Sequence, residues 1–113
     1  MANLINLTDR PSHDAAVTAA EETPTVIYLC NSPLPACKTF TPKYSELATK
    51  YQDVQFCIME LTSETSPMFK FAPNQLPVLV FLVKKTWCRT RMGADVTGLE
   101  AGLVELLNEA KRP

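Results

Sequence analysis

The chain has 113 residues, 46% of them hydrophobic and 20% charged, which is enough for one hydrophobic core and far from the composition of a disordered segment. Twelve acidic and eleven basic residues are interspersed to a formal charge of −1, so no broad positive field exists to attract a phosphate backbone. The segment carrying Lys84, Lys85, Arg89 and Arg91 reads as the solvated face of a hairpin. Neither a basic start followed by an apolar leader nor a stretch near the roughly 20 apolar residues of a membrane span is present. One soluble, cytoplasmic domain over residues 1–113 is expected, with neither nucleic acid nor membrane as a partner. Four cysteines, Cys30, Cys37, Cys57 and Cys88, are scattered through strand-like segments, unlike a secreted disulfide framework, and are expected to be mostly reduced.

In chain order, Asn3 to Thr8 is a short strand broken by Asp9-Arg10-Pro11-Ser12. Ser12 then offers a cap to a helix carrying Ala15, Ala16, Val17, Ala19 and Ala20, which Pro24 stops. Thr25 to Cys30 is a continuous apolar run of strand length, the pattern of a strand covered on both faces. After a proline-rich turn, Phe40, Tyr44, Leu47, Ala48 and Tyr51 recur at helical spacing over Pro35 to Tyr51. Pro42 falls inside this helix and is expected to kink it.

A further strand spans Val54 to Leu61, and a shorter helix with Pro67 in its first turn spans Thr62 to Phe71. Leu76 to Val83 and Trp87 to Met92 form a hairpin around Lys84-Lys85-Thr86, a turn without the usual glycine. Thr97 caps a last helix with Leu99, Leu103, Leu106 and Leu107 on one stripe. Alternating strands and helices that end in a hairpin predict an α/β fold, a mixed sheet with helices on both faces.

The residue of most chemical interest is Cys37. A Cys-x-x-Cys pair closes and reopens a small disulfide ring across the first turn of a helix, but the position three residues before Cys37 is Leu34. With Cys37-Lys38, Pro42, Ser45 to Tyr51 followed by Asp53 to Phe56, Leu76-Pro77-Val78 and Arg91-Met92-Gly93-Ala94 in this order, the chain resembles the thioredoxin family over nearly its whole length. The resemblance implies a thioredoxin fold, a central mixed sheet of about five strands flanked by about four helices. Against the family's Trp-Cys-Gly-Pro-Cys this chain reads Pro33-Leu34-Pro35-Ala36-Cys37. Only the second, resolving cysteine matches, the family's buried proton-transfer aspartate falls at Tyr28, and its strand-end aromatic at Cys30.

These departures remove the attacking thiol and its acid–base partner, so classical dithiol–disulfide reductase activity is not expected. Cys37 is catalytic only if thiol chemistry survives, working with Cys30 as a second thiol or with glutathione; otherwise it is a small, partly buried hydrophobe. The resemblance also implies a cis Leu76-Pro77 bond beside a groove that pairs with an extended peptide and is flanked by the loop of Gly93 and Ala94. Backbone recognition survives the loss of the sulfur. Pro33, Leu34 and Pro35 would extend that groove as an apolar knob. A protein or peptide partner, bound by a monomer or weak homodimer, is therefore expected.

No cofactor or metal is expected. His13 is the only histidine and is remote in sequence from every cysteine, and three glycines form no phosphate loop. Glu21-Glu22 and the pair Glu60 and Glu64 read as helix-end or surface charges. Cys57 reads as core, and Cys88 as an exposed thiol.

Overall fold

The computed structural model describes residues 4–7, 10–30, 35–60, 78–84, 87–92 and 96–111. Five strands, β1 (Leu4–Leu7), β2 (Thr25–Cys30), β3 (Gln55–Glu60), β4 (Val78–Val83) and β5 (Trp87–Met92), make one sheet in the order β1-β3-β2-β4-β5. β1 and β2 run parallel to β3, β4 runs antiparallel to β2, and β5 returns antiparallel to β4. Three helices are described: α1 (Arg10–Ala19), α2 (Pro35–Lys50) and α3 (Val96–Ala110). The helix expected over Thr62 to Phe71 lies outside the described residues.

The apolar run of Thr25 to Cys30 is buried at every position, because β2 is the central strand and neither of its faces reaches solvent. Val26 and Tyr28 share the face on which Phe81 of β4 and Phe56 of β3 lie. There α2 lays Phe40 and Tyr44 against Tyr28 and Phe56, with ring centroids 4.9 to 5.3 Å apart for Tyr28–Tyr44, Tyr44–Phe56 and Tyr28–Phe40. These are tilted and edge-on arrangements that aromatic quadrupoles favour. The Tyr44 hydroxyl lies 2.6 Å from the Cys57 carbonyl oxygen and 3.2 Å from that of Val26. Its one proton thereby serves two carbonyls from β3 and β2. Tyr44→Phe is expected to lower the unfolding free energy by about 1–2 kcal/mol, read as a fall in the urea midpoint at unchanged slope.

The last helix buries Leu99, Leu103 and Leu106, with Leu107 packed partly against them, as its stripe predicts. It lies close against the sheet at Gly102, where an added Cβ would be 2.7 and 2.9 Å from the two Cε atoms of Phe81 and nearer still to Cζ. The ring is fully buried and cannot swing aside. Gly102→Ala is therefore expected to destabilise by about 1–2 kcal/mol, overpacking of about 1–3 kcal/mol outweighing the roughly 1 kcal/mol of helix propensity that alanine gains. Adding Phe81→Leu is expected to return part of the loss, measured as a thermodynamic cycle.

Two helix starts differ from the sequence-based reading. α1 starts at Arg10, so Ser12 lies inside it rather than at its cap; Pro11, whose fixed φ suits a first helical turn, is accommodated there. Thr97 likewise falls within the first turn of α3 instead of capping it. Pro42 sits inside an uninterrupted α2, although it has no N–H to offer the carbonyl four residues back. In the hairpin, Lys84 supplies the missing glycine's conformation, with φ of 58°, a left-handed backbone that a lysine adopts at some cost. Its amide is tied to the Ala20 carbonyl at 2.8 Å.

The basic side chains of β5 are spread over a solvated face: Arg89 lies over the Trp87 ring at 5.0 Å and Arg91 reaches Glu105 at 3.8 Å. Like charges on an edge strand disfavour pairing with another edge. No helix among the described residues is long and apolar enough to cross a membrane.

Candidate functional site

Cys37 is the third residue of α2, and the fold turns it inward to 1% exposure. Cys30 ends β2 and is 5% exposed. All four cysteines are thiols rather than disulfides, with Cys57 buried as expected of a core residue and Cys88 exposed. Cys30 and Cys37 are not joined to each other.

Beneath Cys37 lies Tyr28, fully buried. Its hydroxyl is 3.1 Å from both the Cys37 carbonyl oxygen and the Thr41 hydroxyl, while Thr41 Oγ1 donates to the same carbonyl at 2.7 Å. Two hydroxyls from β2 and α2 thus converge on the backbone of the residue that carries the thiol. Burial, first, and the negative charge that Cys37 and Cys30 would carry as thiolates hold the Tyr28 phenol well above its ordinary value, with the Thr41 hydrogen bond pulling the other way. Tyr28 is a neutral donor and has no carboxylate with which to take up a proton.

The other thiols are no closer to reactive. Burial, then the potentials of Cys37 and Glu60, pushes the Cys30 thiol up to about 12. Burial does the same for Cys57, to about 12, with Gln55 opposing. Cys88 is also raised by burial, but Arg89 pulls it down. No group of three or more metal-binding side chains occurs among the described residues, and His13 instead approaches Asp14, with Nδ1 3.3 Å from the carboxylate.

Cys30 and Cys37 open on one cleft of about 530 Å³ at the carboxyl ends of the parallel strands β1, β3 and β2. Leu7, Ile58 and Pro42 give the cleft apolar lining, Asn6 and Thr41 add an amide and a hydroxyl, and the exposed Lys38 and Glu60 also line it. The sequence reading used Lys38 and Pro42 in the family motif, with Pro42 as a kink, and Glu60 as a surface charge, and gave none of these residues a place at a site. The signal that would have found them is the rule that open parallel sheets bind ligands beyond the carboxyl ends of their strands. The expected docking residues Pro33, Leu34, Leu76, Pro77, Gly93 and Ala94 lie outside the described residues, as does the peptide bond before Pro77. Of Pro35 only its place at the start of α2 is described.

No protein-family model matches the chain. Over 67 residues, 59% of this chain, it is 36% identical to thioredoxin H8 of Arabidopsis thaliana, and the match spans 45% of that protein's length. Among solved structures, thioredoxin f of spinach chloroplast superimposes with a TM-score of 0.83 at 20% identity, covering 93% of this chain and 87% of that one. A poplar thioredoxin h superimposes with a TM-score of 0.78 at 20% identity, covering 93% and 96%. A thioredoxin f2, solved in complex with ferredoxin:thioredoxin reductase, gives 0.83 at 22% identity, covering 92% and 94%. By these superpositions the chain has the thioredoxin fold, and over 67 residues its sequence is similar to that of a thioredoxin.

Proposed function

We propose that this protein has lost dithiol oxidoreductase chemistry and binds a protein or extended peptide through the surface built by Pro33, Leu34, Pro35, Leu76, Pro77, Gly93 and Ala94. The observation that carries the reading is the surroundings of Cys37. The thiol is buried, Leu34 stands where an attacking cysteine is needed, and the phenol of Tyr28 occupies the place of the family's proton acceptor. Thiol–disulfide exchange requires a thiolate that reaches the substrate sulfur, then a second thiolate to resolve the mixed disulfide. Leucine cannot begin that sequence. Peptide recognition through backbone pairing needs neither thiol, and a relative of this fold docks a reductase protein.

Selection of extended peptides from a display library tests the reading. Peptides selected on the native protein are expected to bind Leu34→Glu and Ala94→Arg at least tenfold more weakly, about 1.4 kcal/mol, and Cys37→Ser with unchanged affinity. No selectable peptide, or equal binding by all three variants, would overturn it.

A second reading rests on the opening of Cys30 and Cys37 on a common cleft: a divergent thiol–disulfide oxidoreductase using Cys37 with Cys30 or with glutathione. The high position of Cys30 opposes it. One fast-labelling thiol at Cys30 or Cys37 would favour it.

A further inference from the structure

Tyrosine hydroxyls tie α2 to the sheet on both sides of Pro42. Past the proline, Tyr44 of α2 reaches the carbonyls of Val26 on β2 and Cys57 on β3. Before it, the tie comes from the sheet: Tyr28 of β2 places its hydroxyl 3.1 Å from the Cys37 carbonyl oxygen and 3.1 Å from Thr41 Oγ1. Tyr28 is itself held fast, fully buried on a strand that pairs it with Ile58 on one side and Leu79 on the other. The first turns of α2 need such a tie. Pro42 offers no N–H to the Lys38 carbonyl, and a proline ring inside a helix crowds that oxygen, so the backbone ladder is weakest where residues 35–41 join the rest of the helix. Leu34 immediately precedes α2, and where this short segment is held decides where Leu34 stands.

We propose that Tyr28 is a positioning residue of the peptide-docking surface, its hydroxyl holding the part of α2 ahead of Pro42 against the sheet so that Leu34 is presented to the peptide. This role rests on the docking function proposed above, and it assigns part of the affinity to a residue buried beneath the surface. The Cys37 carbonyl also accepts a bond from Thr41 at 2.7 Å, so Tyr28→Phe removes the tie to the sheet without orphaning a buried acceptor. The ring that remains keeps its packing against Phe40 and Tyr44. What changes is the freedom of residues 35–41, and a peptide that must first order them binds more weakly by the cost of doing so.

The probe is the set of peptides selected on the native protein. Tyr28→Phe is expected to bind them at least fivefold more weakly. Tyr44→Phe, which loses a buried hydroxyl from the same ring cluster on the far side of Pro42, is expected to lower stability yet bind as the native protein does. Because Tyr28 acts through Leu34, adding Tyr28→Phe to Leu34→Glu should weaken binding less than twofold further, whereas a merely structural contribution would add in full. Hydrogen exchange supplies a readout without peptide. The amides of Thr39, Phe40 and Thr41 should exchange at least fivefold faster in Tyr28→Phe, relative to those of Leu47 and Ala48, and Tyr44→Phe should leave that ratio unchanged. Native affinity of Tyr28→Phe, equal weakening by Tyr44→Phe, full additivity with Leu34→Glu or an unchanged exchange ratio would overturn this role and leave the docking function standing. Failure to select any peptide would overturn both.

Discussion

In the folded protein at pH 8, Cys88 is expected to react with iodoacetamide at least about a hundredfold faster than Cys30 or Cys57. A thiol moved from 9 to about 12 loses roughly a thousandfold in thiolate, the species that reacts. Cys88 is raised as well, which takes back part of that factor, but it is exposed and sits beside the Arg89 guanidinium. Cys37 is 1% exposed and can be labelled only when α2 opens away from the sheet. Mass spectrometry of peptides after timed quenching separates the four sites. In urea all four should converge on one rate. A fast Cys37 or Cys30 in the native state would mean that a thiolate survives in the site, in favour of one-thiol chemistry.

Raising the pH from 8 to 10 is expected to lower the unfolding free energy by about 3 kcal/mol. The thiols of Cys30 and Cys57 sit near 9 when the chain is unfolded and near 12 when it is folded. Above 9 the unfolded chain therefore sheds protons that the folded protein keeps, and unfolding gains about 1.4 kcal/mol per thiol by pH 10. The stabilisation is complete below about 9 and is lost as pH climbs toward 12. Tyr28 and Tyr44, both also raised, act in the same direction from about 10 upward. Urea unfolding at a series of pH values reads this directly, and Cys57→Ala should remove about half of the fall between 8 and 10. A flat profile over that interval would show that the two thiols titrate in the fold as they do in the open chain.

Much of the architecture follows from short-range patterns. The unbroken apolar run of Thr25 to Cys30 has one physical use in a domain this size, a strand with both faces covered, and β2 occupies that place. The heptad-like leucines of α3 and the helical spacing of Phe40, Tyr44, Leu47 and Ala48 likewise depend on period alone, and all of these are buried except Leu107, which is half-buried. The starts of α1 and α3 were less legible, because Ser12 and Thr97 are cap-forming types that also fit a first turn, and the type alone does not choose between these places.

At the site, the likeness of motifs located Tyr28 and Cys37 but not what joins them. The bond from Thr41 to the Cys37 carbonyl is a local helix contact, whereas the approach of Tyr28 to both depends on how α2 is set against β2. The cleft was less legible still. Asn6, Ile58 and Glu60 are far apart in sequence from Lys38, and the sheet order β1-β3-β2 brings them together. Tyr44 showed the same limit. Its spacing marked it as core, but only the register of β2 against β3 places two carbonyls within reach of its hydroxyl.

Reduction of insulin by dithiothreitol, followed by turbidity with and without the purified protein, tests the loss of dithiol chemistry most directly. The native protein is expected to leave the rate at that of dithiothreitol alone, and Cys37→Ser to be indistinguishable from it. Catalysed precipitation that disappears in Cys37→Ser would contradict the loss of redox function and restore Cys37 as a working thiol.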